Sequence, residues 1–224
     1  MSVVSETVNW LAESSHWSGG DGIPQRLLQH LGYTGLTVAL GTAVALPLGL
    51  WIGHTGRLRS VAVATTGALR ALPTLGLLTL VVLFSGIGLV APVLALTILA
   101  IPPLLAGAYA GLESVDRATI DAARAQGMTE WQILTKVEVP LGLPIIVGGI
   151  RSATLQVVAT ATVAAYVGLG GLGRFIIDGQ AVQDYPQMLS GAVLVVVLAL
   201  LLDAVFALAQ RLATGARMPV PAPA

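Results

Sequence analysis

The chain has 224 residues, of which 55% are hydrophobic and 10% are charged, and its mean hydropathy is +0.86. Because an average soluble domain carries about 25% charged residues, this composition excludes a soluble globular protein and indicates an integral membrane protein. The chain contains no cysteine, which excludes disulfides and thiolate metal sites. Its formal net charge is zero, and nothing in the sequence points to a nucleic-acid partner.

Charge-poor, apolar stretches predict an all-α, polytopic membrane protein. A helix needs roughly 20 apolar residues to cross a hydrocarbon core about 30 Å thick. We place five spans at residues 28–53, 61–84, 89–111, 143–166 and 187–211. They belong to a transmembrane domain at 26–212. We expect a short external tail without a cleavable signal at 1–25 and a disordered cytoplasmic tail at 213–224.

The first predicted span carries small residues at a spacing of four, namely Thr37, Gly41, Ala45, Gly49 and Gly53. A face of this kind allows a second helix to approach closely in lipid. We favour a contact within the subunit over a contact between subunits.

Several prolines and polar residues are candidates for lining a pathway through the spans. Pro73, followed by Thr74, is a candidate kink, and the pair Pro102-Pro103 is another. The remaining candidates, on the fourth span, are Gln156, Thr160 and Tyr166. Because threonine hydroxyls in membrane helices commonly bond to carbonyls of their own helix, we favour local roles for the residues of the fourth span and keep pathway lining as the alternative. For the prolines, plain helix starts and bends are as well supported as kinks beside a pathway.

Residues 168–173 match the pattern G-x-G-x-x-G, but an apolar span rather than a strand precedes them. We therefore expect a glycine-rich turn that leads into a short helix at 174–180, not a dinucleotide site. The histidines are scattered, and neither an H-E-x-x-H motif nor a phosphate-binding loop is present. We expect no catalysis and no bound cofactor in this chain.

The positive charges predict an orientation in the membrane. One side would carry Arg57, Arg59, Arg117, Arg124, Lys136, Arg211 and Arg217, and the other Arg26 and Arg174. The positive-inside rule then places the N-terminus outside the cell and the C-terminus in the cytoplasm. For Arg70 and Arg151 we favour snorkelling to the interface, or pairing with a loop acid, over a buried functional charge.

Residues 113–141, between the third and fourth spans, are predicted to form a cytoplasmic helix-turn-helix. Asp116 is a candidate N-cap for a helix at 117–126, which Gly127 would end in a left-handed conformation. Thr129 and Gln132 form a T-x-x-Q capping box that predicts a second helix.

The surface of this helix-turn-helix is suited to docking. The small residues Ala122 and Ala123 would allow a partner to pack closely, and Trp131 would provide an aromatic anchor. A self-contained loop is the alternative, and the residue types alone do not decide between the two.

The same residues resemble the EAA loop of bacterial ABC importer permeases, whose pattern is E-A-A, three residues, G, nine residues and I-x-L-P. Here Asp121-Ala122-Ala123 is followed at those spacings by Gly127 and then by Val137-Glu138-Val139-Pro140. Aspartate replaces glutamate, and valines replace isoleucine and leucine. We call residues 113–141 the EAA segment.

Other stretches resemble the branch that imports compatible solutes such as glycine betaine, carnitine, choline and proline betaine. They are residues 72–75, 86–88, 109–112, 148–154 and 168–173. A methionine-type importer permease is the alternative among transporters. A channel or membrane scaffold without energy coupling is the alternative from another class.

The resemblance implies the type I ABC importer permease fold, set in membrane lipid and working by alternating access in the bacterial plasma membrane. It also implies two permease subunits, identical or homologous, two ABC ATPase subunits that bind ATP and Mg, and a separate external solute-binding protein. The residues expected to couple to the ATPase are Asp121, Ala122, Ala123, Gly127, Met128, Thr129, Trp131, Glu138 and Pro140. Because the spans have few aromatic residues for a cation–π cage, we expect the binding protein to select the solute.

Overall fold

The computed structural model describes residues 2–215, and this part of the chain is α-helical without strands, which confirms the predicted fold class. Its helices are α1 (Val3–Ala12), α2 (Ile23–Thr55), α3 (Arg59–Arg70), α4 (Thr74–Ser85), α5 (Val90–Glu113), α6 (Arg117–Ala125), α7 (Glu130–Ile133), α8 (Val139–Ala161), α9 (Gly173–Val182) and α10 (Tyr185–Gly215). Short 3-10 turns occupy Ser14–Trp17 and Val163–Val167, and a π-turn at Leu134–Glu138 joins α7 to α8.

Four helical stretches are long and apolar enough to cross a membrane, namely α2, α5, the continuous run Glu130–Ala161 and α10. The pair α3 and α4 gives a fifth crossing if it is counted as one span, although its two axes meet at 89°. The stretch predicted as a span at 61–84 is therefore not one straight helix. Pro73 explains the break, because proline has no N–H and disfavours helical geometry in the preceding Leu72. Arg70 lies exposed just before this break.

The region predicted as an N-terminal tail is folded against the helices. Trp10 of α1 stacks on His16, with ring centroids 3.8 Å apart, and meets Phe175 of α9 edge-on at 5.4 Å. Trp10 and Leu11 also pack against an apolar cluster shared by α2, α8, α9 and α10. At the other end, α10 continues to Gly215, and the rest of the predicted C-terminal tail lies outside the described residues.

The stripe of small residues on α2 packs against α5. Ala45 is fully buried. A Cβ atom added at Gly49 would overlap Ala108, and one added at Gly53 would overlap Leu112. Gly49 meets Ala108, and Gly53, one turn later, meets Leu112, one turn later on the other helix. Helices α2 and α5 therefore run in the same direction. The interpretation of the stripe as a contact within the subunit is confirmed.

Helix α8 crosses α5 in the opposite direction, again at glycines. The backbones approach so closely that a Cβ atom added at Gly107 would overlap Gly149, and one added at Gly111 would lie 2.9 Å from the carbonyl oxygen of Gly142.

Arg151, further along α8, pairs with Asp203 of α10. This pairing corrects the prediction for Arg151, since its partner lies on a membrane helix and not in a loop.

The glycine-rich stretch 168–173 is a turn that leads into α9, as predicted. Gly171 has a φ of +89°, a conformation that glycine adopts without strain. Two side chains at the start of α2 hold the turn. Gln29 accepts a hydrogen bond from the Gly171 N–H at 3.0 Å, and His30 Nδ1 accepts one from the Leu172 N–H at 3.3 Å.

Candidate functional site

The EAA segment folds as the predicted helix-turn-helix, and local hydrogen bonds explain why. Asp116 Oδ1 accepts from the Ala118 N–H at 3.1 Å, which caps α6. Gly127 has a φ of +79° and ends that helix. Thr129 Oγ1 accepts from the Gln132 N–H at 3.3 Å, and Gln132 Oε1 accepts from the Thr129 N–H at 2.9 Å. The predicted N-cap, turn and capping box are all confirmed.

An apolar cluster beneath the EAA segment holds the two short helices together. Its buried members are Val115, Ile120, Ala123 and Ile133, and Met128 and Val137 pack against them. Ile133 is completely buried, whereas Ala122 is exposed. The Ala122 side chain thus lies on the surface of the EAA segment, whereas the Ala123 side chain packs in the cluster.

The outer face of the EAA segment presents an aromatic side chain, a carboxylate and a cleft. Trp131 is 71% exposed, and the side chain of Asp121 is 72% exposed. The EAA segment also contains an open cleft of about 480 Å³, lined by Ala118, Thr119, Ala122, Ala123, Gln126, Met128 and Val137. The surface thus combines features that an incoming protein chain could bind: an apolar anchor, a negative charge and a hollow.

Arg124 links the two short helices electrostatically. Its Nε and Nη2 donate to the two carboxylate oxygens of Glu130 at 2.9 and 3.1 Å, and its Nη1 donates to Asp121 Oδ1 at 3.4 Å. The hydrogen bond from Arg124 lowers the pKa of Glu130, and the same bond raises the pKa of Arg124. Both groups therefore stay charged at neutral pH.

Glu138, a predicted coupling residue, is buried and not part of the outer face. Its side chain is 3% exposed, and its Oε2 contacts Nδ1 of His54 near the end of α2. The other ring nitrogen of His54 lies 3.3 Å from Glu130 Oε2. Sequence reasoning missed His54, because it lies 84 residues before Glu138 and no local motif marks it.

Pro140 explains the π-turn that joins the EAA segment to α8. Proline has no N–H to bond to the carbonyl of Lys136, and its ring would clash with that carbonyl in a regular α-helix. The backbone widens over Leu134–Glu138 and so avoids the clash. Turns of this kind frequently occur at functional sites, and this one brings the Glu138 side chain towards α2.

The candidate pathway residues do not meet at one place. Pro73 and Thr74 lie where α3 and α4 meet. Gln156 Nε2 donates to the Leu99 carbonyl at 2.7 Å, and Thr160 Oγ1 donates to the Gln156 carbonyl at 2.9 Å. The local role favoured for Thr160 is confirmed. The remaining candidate, Tyr166, is half-exposed and donates to Gln180 Oε1 at 3.0 Å.

The sequence matches a known family and curated relatives. Residues 45–214 match the family described as binding-protein-dependent transport system inner membrane component. The chain is 36% identical over 175 residues to the carnitine transport permease protein OpuCB of Listeria monocytogenes, covering 78% of this chain and 80% of that protein. It is 32% identical over 186 residues to the glycine betaine/carnitine/choline transport system permease protein OpuCB of Bacillus subtilis, covering 83% and 86%.

The fold also has a close match among solved structures. An inward-facing MetNI methionine ABC transporter superposes with a TM-score of 0.75 at 25% sequence identity, covering 83% of this chain and 93% of that chain. The family match and the curated relatives confirm the resemblance drawn from the EAA pattern, and the structural match agrees with it. The chain therefore belongs to the family of binding-protein-dependent transport system inner membrane components, and it is a multi-pass permease subunit of an ABC importer.

Proposed function

We propose that this permease imports osmoprotectants of the quaternary ammonium type, such as glycine betaine, carnitine and choline. The names of the relatives support this, since the proteins at 36% and 32% identity are a carnitine permease and a glycine betaine/carnitine/choline permease. A methionine-type importer is the second candidate, because the fold superposes on a methionine transporter with a TM-score of 0.75.

The main support for energy coupling is the exposed side chain of Trp131 on the EAA segment, whose two helices are held by capping hydrogen bonds and an apolar cluster. Trp131 is 71% exposed, and tryptophan is among the residues that most often anchor a protein interface. We place the outer face of the EAA segment against the ATPase subunit, with Asp121 near a basic residue there. ATP and Mg would bind to the ATPase and not to this chain.

The proposed orientation has the N-terminus outside and the EAA segment in the cytoplasm. Two features support it. Arginine and lysine residues are concentrated on the EAA-segment side of the predicted spans. The helix directions alternate as five crossings require, since α2 and α5 are parallel and α8 is antiparallel to α5.

Solute selection is assigned to an external binding protein. The sequence has only 3 Phe, 4 Trp and 4 Tyr. Among the described residues the ring contacts are those of Trp10 with His16 and Phe175, which form no cage open to a cation. Recognition of a quaternary ammonium group ordinarily uses several aromatic faces.

The proposal is tested by uptake into liposomes that contain this permease, the ATPase that co-purifies with it and its binding protein. Labelled glycine betaine should accumulate in the presence of ATP, and labelled methionine should not. Methionine uptake with no betaine uptake would favour the second candidate. Uptake of either solute without ATP would contradict energy coupling and indicate a passive channel.

A further inference from the structure

Helix α1 has apolar side chains on its surface beside the side chains that pack on the protein. Thr7 is 4% exposed, and Trp10 and Leu11 pack against the apolar cluster shared by α2, α8, α9 and α10. Val4 and Val8, one turn apart on the same helix, are 67% and 60% exposed. The apolar side of α1 is therefore wider than the part of it that contacts the rest of the described chain.

The polar residues of α1 lie on the other side of the helix. Successive residues of an α-helix point about 100° apart, so Glu6, two positions from both Val4 and Val8, points away from them. Asn9 and Glu13, which also lie outside the packed face, are exposed. A short helix with one apolar side and one polar side is typical of a helix that lies at a membrane surface, between lipid and water.

The position of α1 beside α10 agrees with such a location. Trp10 meets Phe175 of α9 edge-on, with ring centroids 5.4 Å apart, and a Cβ atom added at Gly191 of α10 would lie 2.9 Å from the Cβ atom of Phe175. Gly191 follows Tyr185, the first residue of α10, by six positions, which is about 9 Å along the helix axis. Helix α1 thus lies near the membrane surface at which α10 begins.

Helix α1 also borders the lipid-facing surface of α10, which is one of the helices long and apolar enough to cross the membrane. Leu194 and Leu198 of α10 belong to the cluster against which α1 packs. Together with Val197 and Leu201, which are 46% and 61% exposed, they line a shallow apolar groove. The exposed valines of α1 therefore have bilayer lipid as their neighbour.

The charges of the N-terminal region exclude electrostatic attraction to acidic lipids. Residues 1–25 contain no lysine or arginine, and they carry three acids, Glu6, Glu13 and Asp21. Anionic headgroups attract basic segments, so they would not attract this one. Burial of apolar side chains is the interaction that remains.

We propose that α1 is an interfacial membrane helix, which buries Val4 and Val8 among lipid acyl chains beside α10 and keeps Glu6 and Glu13 in water. The helix has 10 residues, so it is about 15 Å long and cannot cross a hydrocarbon core about 30 Å thick. The N-terminal region is then attached to the bilayer as well as to the protein.

The test uses the absence of cysteine from the chain, which allows a single nitroxide label at a chosen position. Val4→Cys and Val8→Cys are labelled separately in the full-length permease in lipid nanodiscs. Relaxation of each label by oxygen, which concentrates in hydrocarbon, is compared with relaxation by a water-soluble nickel chelate. We expect an oxygen-to-nickel ratio severalfold above that of Asn9→Cys, the matched exposed position next to Val8, and close to that of Val196→Cys, which is 56% exposed on α10.

Three results would overturn the proposal. Ratios at both valine positions as low as that of Asn9→Cys would place this face of α1 in water. Labels at Val4 and Val8 that neither reagent reaches would show that a protein chain covers the face. A high ratio found only in nanodiscs with anionic lipid would contradict apolar burial as its cause.

The design keeps the result independent of other variables. Two labelled valines guard against an effect of one substitution, and both side chains are exposed, so neither change opens a cavity in the protein. The measurement involves neither solute transport nor the ATPase, so its outcome does not depend on the proposed function.

Discussion

Arg151 of α8 and Asp203 of α10 form a two-pronged ion pair, in which Nε donates to Oδ1 and Nη2 donates to Oδ2, both at 2.7 Å. Gln210 extends the contact by accepting from Arg151 Nη1 at 3.1 Å and donating to the Pro144 carbonyl at 3.0 Å. In the most apolar stretch of α10, only 6% of the residues are buried within the chain. Val195 and Leu198 hold α10 in the apolar cluster shared with α2, α8 and α9. The directional Arg151–Asp203 pair adds a polar contact that favours one register of α10 against α8.

Asp203→Asn should destabilise the permease, because it leaves the Arg151 charge without its anion inside a span. We expect the midpoint of thermal unfolding in detergent to fall by roughly 5 °C or more, and the reversed pair Arg151→Asp with Asp203→Arg to recover part of the loss. Asp178→Asn, which breaks an Arg–Asp pair within α9, should change the midpoint little. Equal midpoints for Asp203→Asn and Asp178→Asn would contradict a special role for the interhelical pair.

Thr129→Ala should loosen the start of α7 by removing the hydroxyl that accepts from the Gln132 N–H. Loss of such a cap costs about 1 kcal/mol, which corresponds to roughly fivefold faster amide exchange in this turn. Hydrogen exchange followed by mass spectrometry on peptides covering α7 measures the effect. Thr135→Ala is the matched control, since its hydroxyl bonds only to the Trp131 carbonyl among the contacts observed. Equal exchange in the two variants would show that the cap contributes nothing.

Trp131→Ala should weaken binding of the ATPase without unfolding the permease. The side chain is 71% exposed, so its removal leaves no cavity in the free chain. An aromatic anchor at the centre of an interface contributes about 2 kcal/mol or more, and we expect at least roughly 30-fold weaker binding. The dissociation constant of purified ATPase for permease in nanodiscs measures this. Trp17→Ala removes a half-exposed tryptophan near the N-terminus and should leave binding unchanged.

Features governed by neighbouring residues could be predicted from the sequence. Asp116, Gly127 and Thr129 act within one turn of the backbone, so their residue types and spacing determine the helix ends they form. Pro73 predicts a bend, but the angle of 89° between the axes of α3 and α4 depends on how these helices pack on α5. Which of the adjacent residues Ala122 and Ala123 lies against the apolar cluster depends on how α6 packs, since their side chains point about 100° apart around the helix.

Contacts between distant residues could not be predicted in this way. Glu138 can be identified from the EAA pattern, but its partner His54 lies 84 residues away in the sequence. Arg151 and Asp203 are separated by 52 residues. No periodicity links such positions, and which charged side chains meet depends on helix directions that follow from packing at small residues.

Gly149→Ala should disrupt the crossing of α5 and α8, because a Cβ atom there would lie 2.7 Å from the Cα atom of Gly107. A backbone cannot yield as a flexible side chain can, so the helices must separate, at a cost of about 1–3 kcal/mol. Gly148→Ala is the matched control on the same helix, since its nearest neighbour is Gln210 Nε2 at 3.4 Å. The fraction of permease that stays folded after heating, followed by size-exclusion chromatography, should fall for Gly149→Ala and remain near wild type for Gly148→Ala. If the folded fraction falls equally in the two variants, the close approach of Gly149 to Gly107 does not determine the stability of the permease.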